Sequence, residues 1–481
     1  MLFTDWIFFV LLGITFVLYY MPVMQRYQVM VLIAASAVFY AYNQPALLIL
    51  LLISASISAI SSYKVFIAEK NIEAKIWATF GVVLNLVILC LFKYGALLIL
   101  TFYGKPSSSN SVGEMLISLP LPLGISFYSF HGISLVVDVW RRKAVGITNV
   151  WDKEISAKNH GKKTLLYLMF FPQLIAGPIV KAHEFYPQIN RKFFQDIDWE
   201  RAIRALIVGY FLKCVIANNL QMQTFWLASP YYLGLSSLNL LFLLFGYSMQ
   251  IFSDFAGYSL IAIGLAYLFG YRLPDNFRFP YISETFSEFW TRWHISLSTW
   301  LRTYLYYPLG GNRAGKGRTY INLLIVMGLG GLWHGAAWSY AVWGLWHGGA
   351  LVIERFFSNS RFYRVQSILI RTLRIGLVFV VVTMGWILFK LPHFSDVLGF
   401  SHALIANRAL PFGKSVPFFI TIYSIPIIAY HALYLMRRGG VEGFFFRIFN
   451  AIRGESIILG GMTAAIILAS GDSSAFIYFQ F

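Results

Sequence analysis

The sequence predicts an all-α polytopic membrane protein, on three observations. Hydrophobic residues make up 58% of the chain and charged residues only 12%, whereas a soluble domain is about half apolar and about a quarter charged. Apolar runs of about 18 residues or more, enough to cross a bilayer, recur from end to end. Phe, Trp and Tyr reach 18%, as expected where aromatic rings gather at both membrane interfaces. Backbone groups in lipid must bond within the protein, which selects helices over open sheets. The whole chain, 1–481, is read as one integral membrane domain.

The first run extends from Trp6 to Met24. It lacks a basic leader and a small-residue cleavage site, and Asp5 precedes it, so it is read as a retained span. Gln28–Tyr42 and Ala46–Ser62 follow, separated by Asn43-Gln44-Pro45. A loop with Lys64, Lys70 and Lys75 leads to a span over Ile76–Phe102, and Gly104–Ser111 is a turn. Leu119–Trp140 is interrupted by Pro120 and Pro122 and closes on Arg141-Arg142-Lys143. Thr164–Val180 is apolar but short, and Pro172 and Pro178 break it. It is expected as a re-entrant segment that needs protein or water around its freed backbone groups. Ala205–Leu227 and Leu238–Gly270 are strong spans. Further on, Ile375–Leu391 and Pro417–Met436 span, with a long loop, 392–415, between them. A basic piece over 437–453 leads to a weaker last span, Ser456–Ser470.

The net charge of +18 falls into place along this path. With the N-terminus outside, Arg26, Lys64–Lys75, Arg141–Lys143 and the stretches 181–204, 313–318, 355–374 and 437–453 all lie inside. Lys105, Arg408 and Lys414 are left outside. The chain then has about eleven or twelve spans, some of them broken. The excess of basic residues needs no nucleic acid to explain it. Cys90 and Cys214 both lie inside apolar segments and imply no disulfide framework.

The stretch Phe286–Gly348 departs from this pattern. It places His294, His334 and His347, with several tryptophans, in or beside membrane-grade sequence. Ionisable residues at that depth are costly and mark a wet path or a reaction site. Read as one helix, Ser283–Tyr307 puts Phe286, Phe289, Trp293, Leu297, Trp300 and Tyr304 on an apolar stripe. Glu288, Arg292, Ser296, Thr299 and Thr303 face the other way, with Glu288 and Arg292 paired one turn apart. Thr291, His294, Ser298 and Arg302 form a polar flank. In Tyr320–Trp338, glycines 328, 330 and 331 precede Trp333-His334-Gly335, with Trp338 close behind. A histidine there serves either as a neutral hydrogen-bonded packing residue or as a general base, because its pKa lies near working pH. His347 lies nearer the inner end of its helix and reads as structural. Asp254 is a lone acid inside an apolar run, expected to bond to backbone or to a histidine or arginine. His334 and His347 lack metal-ligand spacing, and no phosphate loop, dinucleotide fingerprint or nucleophile elbow occurs.

The segments LPLGISFYSF (121–130), FFPQLIAGPIVK (170–181), SDFAGYS (253–259), NFRFPYIS (276–283), EFWTRWHISLSTWLRTYLY (288–306), PLGGNRAGK (308–316) and GGLWHGAAWSYAVWGLWHG (330–348) together resemble the membrane-bound O-acyltransferase (MBOAT) family. The likeness runs in order through about residues 120–355 and points to the bacterial members that O-acetylate alginate, other polysaccharides and peptidoglycan. It implies a ring of about eleven or twelve transmembrane helices, with re-entrant helices around a central tunnel. It implies that His334 is catalytic and that His294 is a second active-site residue. Arg302, Trp293, Trp333, Trp338 and Asp254 are the expected substrate or tunnel residues. Leu260 stands where relatives often carry an acid, and His131-Gly132 where they often carry Glu-Ser; His131 is a candidate for tuning acceptor or partner choice.

The implied reaction takes an acetyl group from a cytoplasmic acyl thioester, acetyl-CoA, to a polysaccharide hydroxyl beyond the bilayer. The implied partner is an extracytoplasmic SGNH-type acetyltransferase, and the implied location is the bacterial inner membrane. No permanently bound cofactor or metal is expected. Arg313, Lys316 and Arg318 are basic enough to attract CoA phosphates, although ordinary positive-inside charge also accounts for them. Two rivals remain: a transporter or flippase that moves an acyl donor without making bonds, and a lipid or protein O-acyltransferase.

Overall fold

The computed structural model describes residues 1–42, 44–104, 112–144, 156–358, 360–438 and 454–472. Lys105 with the rest of the turn to Ser111, the polar stretch 151–155 and the basic piece from 439 to 453 lie outside the described residues. Among the described residues the regular structure is entirely helical. Among these residues seven helices are long and apolar enough to cross a membrane: Pro22–Ala41, Pro45–Ile67, Asn71–Phe102, Trp199–Leu227, Ser237–Leu268, Ile368–Lys390 and Ser415–Met436. Trp6–Tyr20 and Gly454–Leu468 are shorter apolar helices. Ile125–Ala144, Gly315–His334 and Trp338–Phe357 have 20 residues each and carry more polar or glycine-rich sequence. The fold is therefore the all-α, multi-pass kind that the composition predicts.

The chain falls into two compact units, Met1–Ile203 with Ile261–Pro274, and Arg204–Leu260 with Asp275–Phe481. In the first, α1 (Trp6–Tyr20), α2 (Gln28–Ala41), α3 (Pro45–Ile67), α4 (Asn71–Leu89), α5 (Ile125–Ala144) and α6 (Ala157–Met169) build the core, with α3 packed on α4, α5 and α6. The buried face of α3 carries Ser54, Ser58, Ser61 and Ser62. Small residues at four-residue steps let membrane helices approach closely. Three of these hydroxyls donate locally: Ser58 Oγ to Ser54 O at 2.9 Å, Ser62 Oγ to Ser58 O at 2.6 Å, and Ser54 Oγ to Asn85 Oδ1 of α4 at 2.8 Å.

The proline-rich segment after α6 breaks as expected. Phe170 leaves the helix at φ −50° and ψ 105°, and a one-turn helix, Phe171–Leu174, follows. Residues 164–180, apart from the half-buried Leu165, are buried in protein. Side chains take up the freed backbone groups: Tyr167 Oη donates to Val180 O at 2.7 Å, and Ser36 Oγ accepts from Phe171 N–H at 3.1 Å. His131 is fully buried, and its Nε2 accepts the Val180 N–H at 3.3 Å. Its visible role is to hold this break.

The second unit contains most of α7 (Trp199–Tyr210), most of α8 (Ser237–Leu268), and α9 to α16. These are Phe286–Arg292, Ile295–Leu301, Gly315–His334, Trp338–Phe357, Ile368–Lys390, Phe394–Ala406, Ser415–Arg438 and Gly454–Leu468 in turn. α14 lies where the sequence suggests a long loop. It forms because Phe400 and Ala403 are buried, with Phe400 edge-on to Tyr232 at 5.7 Å. α7 continues through a π-type stretch, Phe211–Ala217. Lys213 within it reaches Asp254 of α8 at 2.6 Å, the two side chains 4% and 2% exposed. The lone acid thus pairs with a lysine, where backbone, a histidine or an arginine was expected. A carboxylate and an ammonium at contact distance neutralise each other where neither is hydrated.

Candidate active site

The site grows from a helix that fails to continue. α9 is well begun: Thr285 Oγ1 accepts the Glu288 N–H at 3.0 Å, and Glu354 of α12 accepts the N–H groups of Phe286 and Ser287. First-turn donors have no partner inside their own helix, so these carboxylate and hydroxyl bonds fix its start. Arg292 closes the turn on Glu288 at 2.8 Å, the pairing read from the sequence. The helix then stops. Trp293 is extended at φ −106° and ψ 128°, and His294 is left-handed at φ 44° and ψ 53°. α10 starts at Ile295, and a π-type turn, Arg302–Tyr306, extends it.

The single helix expected over Ser283–Tyr307 is therefore two short helices meeting at His294. The cause is Asn276, in the preceding loop. Its backbone oxygen accepts the Ile295 N–H at 3.0 Å, and its Oδ1 accepts from Ser296 N–H at 3.3 Å and from Ser296 Oγ at 2.6 Å. Arg278 N–H bonds Arg292 O at 2.9 Å. A left-handed backbone at a non-glycine residue costs about 1–3 kcal/mol and persists only when its surroundings over-determine it. These bonds do so. Ser296, placed by the helical reading on the outer polar face, is buried.

The second imidazole comes from a helical hairpin. α11 ends at His334, Gly335 is extended, and α12 starts at Trp338. The two helices nearly touch at backbone level: a Cβ on Gly331 would meet Tyr340 O at 2.1 Å, and one on Gly344 would meet Met327 O at 2.1 Å. Only glycine permits that approach. The sequence reading ran the span on to Trp338; the helix instead ends on the histidine, at its C-terminus.

His294 and His334 are 0% and 4% exposed, and their ring centroids lie 6.0 Å apart. Trp333 lies 5.7 Å from the first ring and 5.1 Å from the second. Phe255 of α8 meets His294 edge-on at 4.6 Å. Trp343 meets His334 edge-on at 5.1 Å, and Phe389 lies 5.5 Å away. His294 Nδ1 faces Asn276 Oδ1 at 3.4 Å, and its Nε2 is buried with no hydrogen-bond partner among the described residues. The indole Nε1–H of Trp343 is likewise buried and unpaired there. Buried polar groups are nearly always bonded, so these two are candidates to meet a water, a ligand or a reacting group. Among the described residues no three His, Cys, Asp or Glu side chains gather as metal ligands.

Of the residues singled out in the sequence, His294, His334 and Trp333 come together in one buried cluster. Trp293 is 1% exposed and stacks on Phe289 at 5.6 Å, in the adjoining ring packing. Asp254 lies within α8 next to Phe255 but is tied to Lys213. Arg302 and Trp338 are exposed. His347 is fully buried between Trp290 and Trp343, at 5.1 and 4.9 Å, with neither ring nitrogen hydrogen-bonded among the described residues. Asn276, Phe255, Trp343 and Phe389 escaped the sequence reading as site residues. Asn276 and Trp343 stand inside recognisable motifs, but only contacts distant in the chain assign them a place.

These features define a helical, multi-pass membrane protein with a buried imidazole pair. The MBOAT, or membrane-bound O-acyltransferase, family pattern matches residues 113–392, which include every residue of the cluster. A probable alginate O-acetylase of Pseudomonas syringae pv. tomato is 36% identical over 79% of this chain and 70% of its own length. The peptidoglycan O-acetyltransferase of Helicobacter pylori is 30% identical over 76% of the chain and 72% of its own length. A teichoic acid D-alanyltransferase of Bacillus subtilis is 28% identical over 49% of the chain and 60% of its own length. The chain belongs to the membrane-bound O-acyltransferase family, and it is an acyltransferase.

Proposed function

We propose that this protein moves an acetyl group from a cytoplasmic thioester, acetyl-CoA, to a hydroxyl delivered from the other side of the membrane, for O-acetylation of an extracytoplasmic polysaccharide. The observation that carries this reading is the pair of buried imidazoles, His294 and His334, with centroids 6.0 Å apart. The names of the alginate and peptidoglycan relatives support the acceptor class. The acceptor oxygen attacks the thioester carbonyl while His334 takes its proton. The tetrahedral oxyanion needs donors about 3 Å away; the Trp343 Nε1–H is the proposed one. When the carbon–sulfur bond breaks, His334 returns the proton to the thiolate. The final sugar is acetylated by an SGNH-type partner outside the cytoplasmic membrane, and the N-terminus lies on that outer side.

The test replaces each imidazole. H334A and H294A, expressed and inserted at wild-type levels, should abolish polymer O-acetylation and the release of CoA from labelled acetyl-CoA by the purified protein. Unchanged acetyl content in H334A removes that residue from the mechanism. Movement of label by the wild type with no release of CoA would favour a transporter.

A further inference from the structure

We propose that Asn276 is a positioning residue for acyl transfer: its side-chain amide holds the proton of His294 on Nδ1 and so leaves Nε2 as the ring's proton-accepting atom. The proposal rests on the reading of His294 as an active-site residue.

The argument starts from which end of the amide faces which neighbour. A backbone N–H can only donate, and the Ser296 N–H lies 3.3 Å from the Asn276 atom assigned as Oδ1. That atom must therefore be the oxygen. The opposite end agrees, because Nδ2 donates to Ser259 Oγ of α8 at 3.0 Å. Ser296 Oγ adds its own hydrogen bond to the same oxygen at 2.6 Å. A carbonyl oxygen accepts and never donates. A hydrogen bond across the 3.4 Å from His294 Nδ1 to this oxygen needs the hydrogen on Nδ1. A neutral imidazole has one N–H, so Nε2 holds the lone pair. That is the nitrogen left buried and without a partner among the described residues.

The geometry also explains why the backbone breaks where it does. One residue bonds the first amide of α10, bonds Ser296, and faces the imidazole. The left-handed φ of 44° at His294 is what brings backbone and ring to the same asparagine. A residue that sets the tautomer of an active-site imidazole acts on rate rather than on binding, because the wrong tautomer presents a donor where an acceptor is needed.

The test compares N276L, N276D and S259A with wild type and H294A in proteoliposomes, each checked for a monodisperse peak in detergent. N276L removes the acceptor and should lower kcat by at least about tenfold with KM for the thioester little changed. N276D keeps an oxygen in place and should recover most of the rate. S259A cuts only the far end of the amide and should stay close to wild type. Nitrogen-15 spectra of labelled histidine should show a protonated Nδ1 and an unprotonated Nε2 for His294. The opposite tautomer overturns the proposal, as does wild-type kcat in N276L or an equal loss in S259A. H294A separates the two readings. Full activity there removes His294 from the reaction and this proposal with it; loss there with full activity in N276L overturns the role of Asn276 alone.

Discussion

Single side chains in this protein are held by partners far away in sequence. Lys213 and Asp254 bring opposite charges to 2.6 Å with almost no exposure. Removing one of a buried pair strands the other, at a cost of about 3–5 kcal/mol, whereas removing both is often close to neutral. K213M and D254L should each lower the melting temperature in a fixed detergent, and the double variant should melt nearer wild type. Simple addition of the two losses would show that the charges do not depend on each other. Trp343 makes a separate prediction. Phenylalanine keeps an aromatic ring beside His334 but lacks the indole N–H. W343F should fold normally and lose about a hundredfold or more in kcat, the effect of deleting one oxyanion donor. Normal turnover in W343F would assign the oxyanion to another group.

Elements are shaped at their interruptions. α11 and α12 approach so closely at Gly331 and Gly344 that any Cβ on the latter collides with the Met327 carbonyl. G344L should therefore separate the helices, displace His334 and abolish activity along with stable expression. Gly349, five residues on in the same helix, has open space where a Cβ would sit. G349A should be harmless or stabilise by up to about 1 kcal/mol through helix propensity. Equal damage from both would mean that the hairpin is sensitive to any change, not to close approach. The glycines before the Trp-His-Gly motif stood out in the sequence as a place for close approach or a bend, but the hairpin they build was not read there. The break at His294 was not legible. Residues 283–307 have acceptable helical periodicity, and nothing within them announces that Asn276 will take the Ile295 amide. α14 was missed for a related reason: its burial depends on Tyr232, far up the chain.

At the scale of the whole molecule, the basic loops predict orientation. Single cysteines near Arg371 should react with a membrane-impermeant maleimide only after the inner face is opened, and cysteines near Arg408 in intact cells. Reversed labelling would overturn the orientation with the N-terminus outside. Seven described helices meet the length and hydropathy of a membrane span, and the more polar α11 and α12 carry or flank the histidines. Ionisable side chains at that depth are costly, so the helices that carry them differ in composition from the uniformly apolar ones.

Composition and the succession of apolar runs determined by themselves that this is an all-helical membrane protein, since the cost of moving a segment out of water depends on that segment alone. The motif residues determined the family and marked both imidazoles. Which nitrogen faces which partner, where the helix breaks, and that Phe255, Asn276 and Trp343 surround the pair were decided only by tertiary structure. Those are properties of contacts between residues remote in the chain, and no local pattern of apolar and polar side chains encodes them.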